Sequence, residues 1–177
     1  MIKTNPLSVK DISLIASNTR KKYSVKPDDA FPILEYIDYL FGEGLLSIQL
    51  IDDNDPLLDK STIAVYNAKD NFIYIKESVL EEIECGNYRS NFTLAHELFH
   101  YLQHQVLGFE FEDVEDRKIY EDPEWQANCY AGELLLPTDY LDKDDEYLAN
   151  NFQVSMECVL TRKVKNKKRK AMEKNKQ

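Results

Sequence analysis

Apolar residues recur along this chain with two different periods, and these divide it into helical and extended stretches. Behind Ser8, a residue type that caps helices, Val9, Ile12, Leu14, Ile15 and Ala16 lay out a helical stripe and predict a helix over residues 8–22. Ile33, Leu34, Ile37, Leu40 and Phe41 repeat the three-and-four spacing and predict a second helix over about residues 29–41. Pro32 falls in its first turn, and Gly42 and Gly44 stop it. LSIQLI (46–51) mostly alternates apolar with polar residues, the pattern of a half-buried strand. STIAVYN (61–67) and NFIYIK (71–76) flank the turn-forming Ala68-Lys69-Asp70 and predict a β-hairpin.

The helical period returns in RSNFTLAHELFHYLQHQ (89–105). An exposed loop is expected over residues 108–122, because eight acids fall between Glu110 and Glu124. Pro123 then opens a helix, EWQANCYAGELLL, that Pro137 closes. A last helix is expected from Ser155, fraying into a basic C-terminal run. Helices, a short sheet and helices again make an α+β order, not a βαβ alternation.

Composition narrows the class. A chain of 177 residues, 43% hydrophobic and 31% charged, suits one ordered domain whose core needs no disulfides. No apolar run approaches the roughly 20 residues of a membrane helix, and the N-terminus lacks the apolar region of a signal peptide, so a cytoplasmic protein is expected. Cys85, Cys129 and Cys158 are odd in number and form no CxxC pair, which reads as buried free thiols in a reducing compartment. The net charge of −10 hides an asymmetry: residues 162–177 carry nine basic residues and one acid, +8, leaving −18 for residues 1–161. One domain over 1–161 followed by a flexible basic tail over 162–177 is the expected organisation. The acidic body is unsuited to nucleic acid, whereas the tail leaves polyanion binding open.

Chemistry concentrates in one place. His96, His100 and His104, all the histidines of the chain, fall within nine residues, and the first two frame an H-E-x-x-H motif. On a helix, that spacing sets both imidazoles on one face about 6 Å apart along the axis, where they can converge on one zinc ion at about 2.0–2.1 Å each. Glu97 projects beside the ion, where a carboxylate can take a proton from an attacking water. A catalytic zinc needs a third protein ligand and an open position. His104 lies about 12 Å from His96 along a straight helix, too far to share the ion. The helix after Pro123 offers Glu124 in its first turn and Glu133 in its third. Asn128, one turn after Glu124 on the same face, favours Glu124, since its amide can orient a ligand histidine; Glu133 is the alternative. Tyr130, Tyr140 and Tyr66 are candidate partners for the oxyanion, and an extended peptide could add a strand beside the 61–76 hairpin.

The stretch NFTLAHELFHYLQH (91–104) is similar to the R-F-T-L-A-H-E-L-G-H segment of the ImmA/IrrE family of bacterial and phage zinc metallopeptidases. EWQANCYAGELLLP (124–137) resembles that family's E-x-x-A-N-x-F-A-x-x-L-L-M-P pattern, and FQVS (152–155) with Arg162 resembles its closing helix. The resemblance implies a zincin-like fold: N-terminal helices, a small antiparallel sheet or hairpin, the H-E-x-x-H helix and a third-ligand helix. It also implies that Glu124 joins His96 and His100 on Zn2+ and that Glu97 is catalytic. Four positions depart from the family pattern: Asn91 replaces arginine, Phe99 glycine, Tyr130 phenylalanine and Leu136 methionine. Phe99 is expected to narrow the cleft. Members of the family act on helix-turn-helix repressors or regulate stress and mobile-element genes, which implies a repressor as protein substrate. Two other readings stay open: a metal-binding regulator without proteolysis, and a nucleic-acid-associated protein working through the basic tail.

Overall fold

Local chemistry starts the first helix where the pattern places it. In the computed structural model, which describes residues 1–174, Ser8 caps α1 (Val9–Lys22) by accepting from the Asp11 amide at 3.2 Å, and Asp11 accepts from the Ser8 amide at 2.9 Å. Pro32 is the residue just before α2 (Ile33–Gly42), not part of its first turn. Gly44, at φ +67°, turns the chain away in a conformation that side chains resist.

The sheet corrects the expected antiparallel arrangement. β3 (Ala64–Asn67) and β4 (Phe72–Lys76) form the predicted hairpin, with Asn67 opposite Phe72. β2 (Ser47–Ile51) instead lies parallel to β4, giving the spatial order β2-β4-β3. The connection over residues 52–63 carries the chain across to the far edge before the hairpin returns it to the centre. β3 is therefore an edge strand, and it packs beside α4 (Arg89–Tyr101).

A second pairing lies outside what periodicity can show. β1 (Ile2–Thr4) pairs antiparallel with β5 (Phe111–Asp113), drawing part of the acidic stretch expected as a loop into a two-stranded ribbon. Thr4 Oγ1 donates to the Glu110 carbonyl at 2.9 Å, across more than a hundred residues of sequence. Two short helices are also absent from the pattern: α3 (Glu77–Glu84), and α6 (Asp145–Phe152), which Asp144 caps.

The core joins α1, α4 and α5 (Pro123–Leu135) to the inner face of the sheet. Ile12, Ile73, Leu94, Leu98, Ala127, Tyr130, Ala131 and Leu134 are fully buried there. Burying such side chains contributes roughly 1.5–3 kcal/mol each for the larger ones, enough to hold the two site helices in fixed register.

The expected boundary at 161/162 does not mark the end of folded structure. α7 runs Met156–Lys174, and only residues 175–177 of the expected tail lie outside the described residues. Arg162 reaches back into the body, donating to the Leu136 carbonyl at 2.9 Å and pairing with buried Glu133 at 2.9 Å. Gly132 makes room for it: a Cβ there would stand 2.8 Å from Arg162 Cδ. Lys163 pairs with Asp145. A charge run thus conceals side chains with structural partners. No described helix is long and apolar enough to cross a membrane.

Candidate metal centre

One face of α4, carrying Leu94, Ala95, Leu98 and Phe99, is buried in the core, which leaves His96 and His100 turned toward the start of α5. That start is tightly specified. Asp122 caps α5 by accepting from the Glu124 amide at 3.0 Å, and Pro123 follows at the first helical position. Arg117 holds the Asp122 carboxylate at 2.7 Å. Glu124 is thereby fixed in the first turn with its carboxylate over both imidazoles.

Three ligand atoms converge. His96 Nε2 lies 3.1 Å from Glu124 Oε2, His100 Nε2 lies 3.3 Å from Glu124 Oε1, and the two Nε2 atoms are 3.0 Å apart. A tetrahedral ion with bonds of about 2.0–2.1 Å sets its ligand atoms about 3.3 Å apart, so this spacing fits one zinc-sized cation. Lone pairs brought this close repel unless a proton or a cation lies among them. Burial works against charge on His100, but the Glu124 and Glu97 carboxylates and Gln103 together outweigh it and raise the imidazole pKa. Hydrogen bonds from His100 and His96 hold the Glu124 carboxyl well below the usual carboxylate range. The Glu124 side chain is 63% exposed, leaving the cluster open to solvent on one side.

Glu97 sits beside the cluster and is held from outside α4. Its Oε2 accepts from the Tyr66 main-chain amide on β3 at 2.8 Å. Burial pushes its pKa up, against the opposing pull of that amide and both imidazoles. Tyr66 N–H points away from β4 because the neighbouring odd-numbered positions face that strand, as the bond from Lys76 N–H to the Ile63 carbonyl shows.

Several residues that spacing nominates for the site stand elsewhere. Asn128 is exposed and its amide donates to the Glu124 carbonyl at 2.8 Å, so it orients no histidine. The group behind His100 is Gln103, whose Oε1 lies 3.0 Å from His100 Nδ1. Glu133 is buried against Arg162 and Thr138, away from the cluster. Tyr130 is fully buried with its hydroxyl on Thr19 at 3.0 Å, which removes it as an oxyanion partner. Tyr66 turns its hydroxyl to Asn71 and Gln105, and Tyr140 packs on Phe152. Phe99 stacks on Tyr130 in the core and does not narrow the cleft. The cleft lies beside His100 and Glu124, walled by Ile2, His104, Phe111 and Arg117. His104 stacks on Phe111 at 4.1 Å between ring centroids and takes no part in the three-atom cluster.

Residues 62–163 match the model of the IrrE N-terminal-like domain, a peptidase family. The chain belongs to this family. The matched span runs from β3 into α7 and includes His96, Glu97, His100 and Glu124. The family is metallopeptidase in type, and the His-His-Glu cluster is compatible with a metal. The fold is similar to that of a Mycobacterium tuberculosis transcriptional regulator, with a TM-score of 0.56 at 17% identity. That likeness covers 85% of this chain and 45% of the regulator, so the chain spans less than half the regulator's length. No curated protein matches the sequence.

Proposed function

We propose that the chain is a zinc-dependent endopeptidase in which His96, His100 and Glu124 hold the ion and Glu97 moves the proton. The observation that carries this reading is the mutual spacing of 3.0–3.3 Å among the three ligand atoms, with a buried carboxylate fixed beside them. Zinc, when bound, supplies Lewis-acid polarisation of the scissile carbonyl and makes a water acidic enough to deprotonate near neutral pH.

The remaining work falls to side chains of the chain itself. Glu97 has one carboxylate oxygen committed to the Tyr66 amide, which fixes its orientation and leaves the other to take the water's proton. A raised pKa suits the second half of the role, since the acid must hold that proton before giving it to the leaving amine. An extended peptide laid along the outer edge of β3 would pass beside Glu97, adding a strand by main-chain hydrogen bonds. Its side chains would enter the cleft walled by Ile2, His104 and Phe111.

The substrate we propose is a helix-turn-helix transcriptional repressor, cleaved at one site in the cytoplasm. Support comes from the family and from the regulator whose fold is similar. The test is co-expression with a repressor encoded beside this chain. Wild type should cleave it and Glu97→Gln should not, because glutamine can still accept the Tyr66 amide but cannot accept the proton. Cleavage by the Glu97→Gln protein would remove Glu97 from this role.

A further inference from the structure

We infer that Gln103 and Gln126 form a one-directional amide relay that holds His100 as the Nδ1–H tautomer, so that its Nε2 lone pair faces the metal position. The relay rests on the proposed metal site for its purpose, though not for its geometry. It is legible from its far end. Gln126 Nε2 lies 2.7 Å from the Asn5 carbonyl and 2.8 Å from the Tyr120 carbonyl. Main-chain carbonyls only accept, so this atom must be the amide nitrogen, with both hydrogens used.

The rest follows in sequence. Gln126 Oε1 must then accept from Gln103 Nε2, 2.8 Å away. Gln103 Oε1 is left facing His100 Nδ1 at 3.0 Å, and an amide oxygen there requires a hydrogen on that nitrogen. A neutral imidazole with hydrogen on Nδ1 has its lone pair on Nε2, the atom that meets His96 and Glu124. Turning either amide over breaks the series. A flipped Gln126 would set its oxygen against two carbonyls, and a flipped Gln103 would set oxygen against oxygen. Both glutamines are fully buried, so bulk water does not compete for these bonds.

The relay also links the site to parts of the chain remote from it. Gln103 belongs to a π-helical turn, Leu102–Val106, that continues α4, and its carbonyl accepts from Phe109 N–H at 2.9 Å. Asn5 follows β1, and its side chain accepts from the Glu110 amide at 2.9 Å. The β1–β5 ribbon and the approach to α5 thus supply the fixed carbonyls that set the sense of every bond in the series. Gln103 and Gln126 are positioning residues: they act on the metal position only through His100.

The test uses metal-free protein with 15N-labelled histidine, in buffer alkaline enough to keep the rings neutral. Nitrogen chemical shifts report which ring nitrogen of His100 carries hydrogen. Wild type should show Nδ1–H. Gln126→Met, which leaves Gln103 free to turn over, should give a mixture of tautomers at His100 and weaken zinc binding by about 10–100-fold in chelator competition. Gln103→Met should do the same. Hydrogen on Nε2 in the wild type overturns the relay, and that result does not depend on either variant folding. An unchanged tautomer in a folded Gln126→Met protein overturns it as well. Wild type with Nδ1–H that takes up no zinc would support the relay and sink the metal reading. Zinc-binding wild type with Nε2–H would do the reverse.

Discussion

Phe99 stacks on Tyr130 with ring centroids 4.6 Å apart and planes 27° from parallel, across the seam between α4 and α5. Both rings are fully buried and fill one space. The helix that presents His96 and His100 is held against the helix that presents Glu124 partly by this pair. Phe99→Ala should therefore destabilise the fold by about 3–5 kcal/mol, read from urea unfolding. The fraction that stays folded should bind zinc as wild type does. A loss below about 1 kcal/mol would mean the seam does not depend on the stack.

Glu124 and Glu133 share a helix but have opposite duties. Glu124 reaches the two imidazoles, whereas Glu133 is 3% exposed and paired with Arg162. Glu124→Ala should weaken zinc binding by orders of magnitude in chelator competition and leave the unfolding midpoint of metal-free protein little changed. Glu133→Ala should spare zinc affinity and cost roughly 3 kcal/mol, because it removes the buried acid that pairs with the partly buried Arg162 guanidinium. An exchange of these two phenotypes would contradict the geometry.

Much of the site is legible in the sequence, because short-range spacing encodes it. His96 and His100 share a face by helix period alone, and Pro123 announces a helix start that sets Glu124 in the first turn. The supporting residues are not legible that way. Gln103 and Gln126 are 23 residues apart and meet only through the packing of α4 on α5. Asn128 has the spacing to stand beside the ion, yet it satisfies its own helix's carbonyl instead. In the fold, the hairpin follows from alternation and its turn, but the parallel placement of β2 depends on a crossover that alternation does not record. Arg162 stands out in the sequence only through its resemblance to the family's closing helix, since charge counting cannot single out the guanidinium that a glycine at 132 admits.

The cysteines divide by environment. Partial burial pushes the Cys129 and Cys158 thiols up to about 11, while Cys85 is exposed, which corrects the expectation that all three are buried: two are half-buried and one is open. The thiolate is the reactive form, so Cys129 and Cys158 should be nearly inert near neutral pH. Brief alkylation of native protein should label Cys85 alone, and denatured protein should label all three. Rapid native labelling at Cys158 would show that its thiol is not held above the ordinary range.

The proposed peptidase activity depends on three side chains of two helices holding one catalytic zinc ion. Native mass spectrometry of zinc-loaded wild type beside His100→Ala puts that to the test without any need for a substrate. About one zinc per wild-type chain is expected, and none retained after His100→Ala, since two remaining ligands cannot hold a tetrahedral site. Wild type that takes up no zinc, or a His100→Ala protein as fully loaded as wild type, would contradict it.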